Sequence, residues 1–189
     1  MPLDIAFLDG KRAIAALTVG VYAGASGTLL LGVSGERLSF LTVLDGGADS
    51  DVGAMVARHF PKARIERDDA AVMPTGQRID AYNADPHAVS LAIGLAGTPF
   101  QHSVWRALLS IPAGRAETYG DLAARIGRAG AARAVGAACA ANPVALIVPC
   151  HRVVGAGGAL TGFSAGAGVA TKAALLRAEA ASDIPVAAA

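Results

Sequence analysis

The chain of 189 residues is 53% hydrophobic and 16% charged, a balance that excludes an intrinsically disordered protein and gives length enough for one domain or two small ones. Its formal net charge of +1 hides an asymmetry: residues 1–95 hold eight Lys/Arg against eleven Asp/Glu, whereas residues 96–189 hold eight against four. Two cysteines are too few for a disulfide framework or an all-cysteine zinc site, which points to a reducing, cytoplasmic setting.

Near the start, Lys11-Arg12 followed by "AIAALTVGVYAGAS" has the outline of a secretion signal, but Asp4 and Asp9 precede the basic pair. The 23 uncharged residues from Ala13 to Gly35 are broken by five glycines and two serines, unlike a membrane span. They read as strands near 14–22 and 28–33, with a third at 37–43 and turns at Gly-Ala-Ser-Gly and Ser-Gly-Glu. "SDVGAMVARHF" (50–60) predicts a helix with Val52, Met55, Val56 and Phe60 on one face and Pro61 as its stop. "ARIE" adds a strand, a second helix is expected between Asp85 and Leu95, and the turn "LAGTP" (95–99) marks a boundary. The predicted organisation is an α/β domain over 1–95 and a mostly α domain over 96–189.

In the second half, Thr98 and Gln101 have capping-box spacing, with Pro99 at the first helical position. The helix that follows carries Phe100, Val104, Leu108 and Ile111 on one stripe and stops at Pro112. Thr118 caps a short helix, "YGDLAARI", with Asp121 in its first turn. "GRAG" then turns the chain into "AARAVGAACAAN", and two short helices joined by such a turn have the outline of a helix-turn-helix. A final "PVAAA" reads as a frayed tail. Residues 129–141 hold eight alanines plus Gly130 and Gly136, with Arg133 as the lone charge. Such a segment is either a buried packing helix or a surface kept smooth for close approach to a nucleic-acid backbone, with Arg133 as a single probe. Readers of the major groove need several polar side chains that this helix lacks, so the second alternative implies sequence-independent, minor-groove binding.

"IVPCHRV" (147–153) sets Cys150 beside His151. The pair is either a core cysteine next to an unrelated histidine or a nucleophile and its base. A thiol ionises little at neutral pH, so a nearby base would raise its reactivity. Adjacent side chains on a strand point to opposite faces, and the two can cooperate only across a turn or through a water. Glu179, in "LLRAEA", is the candidate to orient the imidazole.

From Thr98 to Glu179 the sequence resembles the O6-alkylguanine-DNA alkyltransferases, through "TPFQHSVWRALLSIPAGRAETYGDLA", "AARAVGAACAANP", "NPVALIVPCHRVV", "GALTGFS" and "TKAALLRAE". The resemblance implies an RNase H-like α/β first domain and a second domain with a helix-turn-helix (winged-helix-like) fold. It implies that Cys150 takes the alkyl group irreversibly from guanine O6 in double-stranded DNA, with His151 as base through water and Glu179 holding its ring. Tyr119 would give a proton or hydrogen bond to N3 of the leaving guanine, and Asn142 with Pro143 would fix the turn into the active-site strand. Val148, Phe163 and Ser164 would line the pocket, with backbone carbonyls at 148 and 150 receiving the exocyclic amine and the Ser164 N–H facing O6. Arg133 would fill the stack left by a flipped nucleotide, on a surface made by Ala131, Ala132, Gly136 and Tyr119. Arg152 would pair with a carboxylate that the sequence does not name. No cofactor and no metal are expected, since the zinc ligands of some members have no counterpart here; the protein is expected to act as a monomer away from membranes.

Three features depart from the family. Phe163 stands where many members carry Tyr, the segment from Ser164 to Lys172 is about two residues longer than in the mammalian form, and Cys139 sits within the presumed recognition helix. Two other classes of function compete with repair. A non-catalytic alkyltransferase-like lesion-binding protein would replace the acceptor, and position 150 is Cys. A Cys-His-Glu hydrolase would need an oxyanion hole and would not need Arg133.

Overall fold

The structure, a computed structural model, describes residues 3–10, 13–44 and 51–179; the basic pair at 11–12 and the terminal "PVAAA" lie outside them. The chain divides into two compact units, Met1–Thr98 and Pro99–Ala189. Among the described residues no helix is long and apolar enough to cross a membrane.

In the first unit, β1 (Leu3–Asp9), β2 (Ala16–Gly24), β3 (Gly27–Ser34), β4 (Arg37–Val43), β5 (Arg64–Arg67) and β6 (Leu91–Gly97) form a sheet in the order β1-β6-β4-β3-β2-β5. Tight turns join β2, β3 and β4 into an antiparallel meander, whereas β1 with β6 and β2 with β5 pair in parallel. Among the described residues two α-helices accompany the sheet, α1 (Val52–His59) and α2 (Asp69–Ala84). Side chains alternate along β2, and the two faces take different partners. Leu17 and Val19 join Leu30, Phe40, Val56 and Phe60 in one core cluster, which buries the apolar face of α1. Gly20 and Tyr22 meet α2 instead: a Cβ on Gly20 would lie 2.7 Å from Val72.

The helix expected between Asp85 and Leu95 is not there; α2 ends at Ala84 and Leu91–Gly97 is a strand. Asp68 caps α2 by accepting from the Ala71 N–H at 3.0 Å, and the helix runs on through Pro74. β1 was not expected either. Its Asp4 pairs with Arg37 at 2.8 Å at the sheet's edge, so a charged residue is compatible with the strand.

The second unit contains α3 (Pro99–Leu109), β7 (Glu117–Thr118), α4 (Tyr119–Arg125), α5 (Ala132–Ala140), β8 (Val153–Val154) and α6 (Val169–Ala178). The Trp105 Nε1–H donates to the Ala138 carbonyl at 3.0 Å and ties α3 to α5. Arg125 ties α4 to the end of α3 through Ser110 Oγ at 2.7 Å and the Ala107 carbonyl at 2.9 Å. Thr118 caps α4 by accepting from the Asp121 N–H at 3.1 Å. β7 and β8 pair in parallel, Glu117 with Val153 and Thr118 with Val154, which brings the start of α4 beside the residues that follow Cys150.

The close approach of α2 to β2 depends on Gly76. A Cβ there would lie 2.4 Å from two ring carbons of Tyr22, whose hydroxyl is held by Asp80 at 2.6 Å. Alanine favours a helix over glycine by about 1 kcal/mol, whereas overpacking costs about 1–3 kcal/mol, so the clash outweighs the propensity. Gly76→Ala is therefore expected to destabilise the first unit in thermal or chemical denaturation, and a variant as stable as the parent contradicts this packing.

Candidate active site

Cys150 does not lie on a strand. Cys150–Arg152 forms one 3-10 turn, and the strand after it is limited to Val153–Val154. The loop before it is closed by Asn142, a buried side chain with three bonds. Its Oδ1 accepts from the Val144 N–H at 3.0 Å, and its Nδ2 donates to the Val148 carbonyl at 2.8 Å and to Cys150 Sγ at 3.3 Å. Within this loop Leu146 adopts a φ of 69°, a conformation costly for a residue with a side chain and common where a functional loop is over-determined.

His151 is 2% exposed, and its Nε2 lies 2.9 Å from Glu179 Oε1. Arg152 also grips Glu179, through Nη2 at 2.7 Å and Nε at 3.0 Å, while its Nη1 reaches the Ile111 carbonyl. The unnamed partner of Arg152 is thus the carboxylate that orients His151. Burial alone would raise the Glu179 carboxyl, but the hydrogen bonds from His151 and Arg152 outweigh it and hold the group at about 2. An ionised carboxylate accepts only, so Nε2 of His151 carries the hydrogen, and in the neutral imidazole the lone pair is then on Nδ1. Among the described residues that Nδ1 is buried and has no hydrogen-bond partner.

The thiol of Cys150 is pushed up by burial, opposed by the hydrogen bond from Asn142 and by the charge of Lys172. Cys139 is pushed up to about 12, by burial first and then by Cys150. Both cysteines line a cavity of about 210 Å³ together with Ala140, Gly162, Phe163 and Ser164. Val148 is not among those lining residues. It is fully buried, and its carbonyl accepts from Asn142 Nδ2 and from the Cys150 N–H, each at 2.8 Å.

A second, more open cavity of about 500 Å³ adjoins the first, sharing Ala140 and Gly162. Tyr119, Ala132, Arg133 and Gly136 line it. Ala131 is not among its lining residues and caps α5 without a side-chain bond. Arg133 is exposed and makes no ion pair or hydrogen bond among the described residues, and Val135, Ala138 and Cys139 are the buried side of α5. The alanine-rich helix is therefore both a packing helix and, on its other face, a smooth surface.

Sequence reasoning passed over Lys172. It is 0% exposed, yet its Nζ meets no carboxylate among the described residues; it donates to the carbonyls of Val153 at 2.6 Å and Thr161 at 2.8 Å. It lies 3.5 Å from the hydroxyl of Tyr119, which itself donates to the Thr161 carbonyl at 3.2 Å. Burial raises the Tyr119 phenol to about 12, so it stays a proton donor at neutral pH. The signal in the sequence was a lysine on the same helical face as Leu176 and next to Ala173, both buried.

Residues 99–181 match the family described as 6-O-methylguanine DNA methyltransferase, DNA binding domain. The methylated-DNA–protein-cysteine methyltransferase of Salmonella typhimurium is 57% identical over 77 residues, 41% of this chain and 45% of that protein. The chain thus spans less than half the length of this curated relative. Similarity to solved structures is broader and supports a mixed α/β fold. The crystal structure of Mycobacterium tuberculosis O6-methylguanine methyltransferase is 36% identical with a TM-score of 0.66, covering 89% of this chain and 95% of that one. The crystal structure of Mycobacterium tuberculosis OGT in complex with DNA is 37% identical with a TM-score of 0.64, over 89% and 95% of the two chains.

The depressed Glu179 gives a pH signature. A carboxyl lowered on folding from 4.5 to about 2 adds stability that is complete above the unfolded value and lost as pH falls through the folded one. Glu179→Gln should lack that component. Between roughly pH 4.5 and 2 the parent should lose on the order of 3 kcal/mol more than the variant in denaturant titrations, whereas parallel profiles contradict the network.

Proposed function

The chain belongs to the O6-methylguanine (methylated-DNA–protein-cysteine) methyltransferase family, and we propose that it repairs O6-alkylguanine in double-stranded DNA by taking the alkyl group onto Cys150. The observation that carries this reading is the buried Cys150 thiol, fixed by Asn142 beside a histidine whose Nδ1 is left as a base by the Glu179 carboxylate.

On this reading the thiol proton passes through a water to His151 Nδ1, and Sγ attacks the alkyl carbon in line with its bond to O6. The S–C bond forms as the C–O bond breaks, and the electron pair leaves on guanine. Tyr119 supplies a proton to N3 of that leaving base, which avoids a free guanine anion. Its own proton is restored from solvent, with the Lys172 ammonium and the Thr161 carbonyl keeping the hydroxyl in place. The Ser164 N–H faces O6, and the apolar Phe163 ring, edge-on to His151 with centroids 6.5 Å apart, closes the wall.

The target atom lies inside the duplex, so the nucleotide is extruded into the cavity beside Cys150. Arg133, exposed at the start of α5 and on the rim of the outer cavity, takes the vacated place in the stack. The helices α4 and α5 then act as a helix-turn-helix whose Ala132, Gly136 and neighbouring Ala131 lie along the minor groove. The DNA complex of the Mycobacterium tuberculosis relative supports this partner. We also read the first unit as an RNase H-like domain spanning roughly 1–95, and the protein as a cytoplasmic monomer that needs no cofactor or metal. Position 150 being Cys favours repair over lesion binding without transfer.

Two experiments test the reading. Incubation with duplex DNA carrying O6-methylguanine should add the mass of one methylene to the intact chain, on the peptide containing Cys150, and Cys150→Ala should retain DNA binding while gaining no mass. Turnover without an adduct would instead indicate a hydrolase, and binding by the parent without any adduct a lesion sensor. Arg133→Ala should slow repair in duplex DNA by roughly tenfold or more while leaving reaction with a free O6-alkylguanine base little changed, because only the duplex requires unstacking. Equal losses on both substrates would place Arg133 in the chemistry or the fold.

A further inference from the structure

The two cavities of the second unit adjoin, and the more open of them is the outer. The outer one carries Tyr119 and Arg133; the inner one carries Cys150, and Ala140 and Gly162 belong to both. Cys139 lines the inner cavity alone. An O6-alkylguanine entering past Arg133 and Tyr119 puts its alkyl carbon at Cys150 Sγ, so the innermost walls meet the alkyl group more than the base. Those walls differ in how far they can yield. The segment after Phe163 is held where it is: the Ala167 N–H donates to Thr171 Oγ1 at 2.9 Å, and a Cβ on Gly166 would lie 2.6 Å from that oxygen. Gly162, Gly166 and Gly168 all take positive φ, which fixes the path of this loop around the cavity. The opposite wall is α5, whose backbone is tied to α3 by Trp105 through the Ala138 carbonyl. With both backbones held, the room for the alkyl group depends on the lining side chains, and Cys139 is the one that α5 gives to this cavity alone.

We infer that Cys139 is the residue that sets which alkyl groups the site accepts, and that its small side chain admits O6-alkylguanines bulkier than methyl, the benzyl group among them. This rests on the repair reading proposed above. Cys139 is 5% exposed, and with its thiol pushed up to about 12 it stays protonated at neutral pH; it serves as a small neutral wall and not as a second acceptor. A leucine there would project further into a cavity of about 210 Å³ whose other side cannot retreat.

The test is the ratio of transfer rates from O6-benzylguanine and O6-methylguanine placed in the same duplex. The parent should accept both. Cys139→Leu should lower the benzyl-to-methyl ratio by roughly thirtyfold, within the range by which a pocket discriminates small apolar groups. Cys139→Ser, close to cysteine in size, should restore the parent ratio, and Cys139→Ala, which cannot overfill the core, should raise it severalfold, so the test stands even where the leucine variant fails to fold. An unchanged ratio in the alanine and leucine variants, or a parent that transfers methyl and rejects benzyl, overturns the inference while leaving the repair reading intact. A parent that transfers neither group overturns the repair reading itself.

Discussion

One carboxylate organises the second unit. Glu179, just past the end of α6, receives Nε2 of His151 and both Nε and Nη2 of Arg152, and the Gly114 N–H points at it from 3.5 Å. Three segments distant in sequence thereby converge on one charge. The 3-10 turn that carries Cys150 would otherwise have two consecutive cationic or polar side chains to satisfy in a nearly dry environment, at a cost of a few kcal/mol if either were left unpaired. With the Glu179 carboxyl held at about 2, it stays an acceptor that fixes the ring orientation and faces Nε2 of His151. The base therefore follows from the carboxylate, and the placement of the thiol follows from the same turn.

A second constraint separates the chemistry from the recognition of DNA. The burial that raises Cys150 and Tyr119 protects a thiol and keeps a phenol protonated, but it also denies a duplex direct access. The proposed division of labour resolves this. Chemistry stays in the inner cavity, the smooth face of α5 and Arg133 meet the DNA, and a flipped nucleotide connects them. Lys172 sits where the two tasks join, its ammonium bound to the carbonyls of Val153 and Thr161 and close to Tyr119. A buried cation without a carboxylate is costly, and here it is compensated by carbonyl dipoles on the segments that frame the cavity.

The sequence made some of this legible and concealed the rest for identifiable reasons. The helix containing Val52 and Val56 and the capped helix after Thr118 were readable because periodicity and caps agree there. α2 contains Pro74 and Gly76, residues that disfavour a helix interior; in the structure the first is accommodated and the second is what allows Tyr22 to lie against the helix. The expected helix between Asp85 and Leu95 overlaps the start of β6, a strand buried along nearly its whole length and so without alternation. Cys150, His151, Glu179, Asn142 and Tyr119 could be named as a set only through the resemblance to a family; Asn142 bonds Cys150 and Glu179 bonds His151, while Tyr119 meets Lys172 and Thr161. The pairing of Arg152 with Glu179 spans 27 positions and lies beyond any local pattern. Val148 was assigned to the pocket by analogy; its carbonyl accepts from Asn142 Nδ2 in the loop that positions Cys150.

In the proposed reaction Cys150 is an acceptor used once. A thioether is not displaced by any group seen near it: His151 is turned toward Glu179, and the neighbouring Cys139 thiol remains protonated. The direct measurement is the amount of alkyl group moved per chain when the protein is mixed with a large excess of duplex carrying O6-methylguanine and followed to long times. A plateau at one alkyl group per chain is expected, with no further repair until fresh protein is added. Continued repair beyond one equivalent, or release of the methyl group into solution, would contradict it.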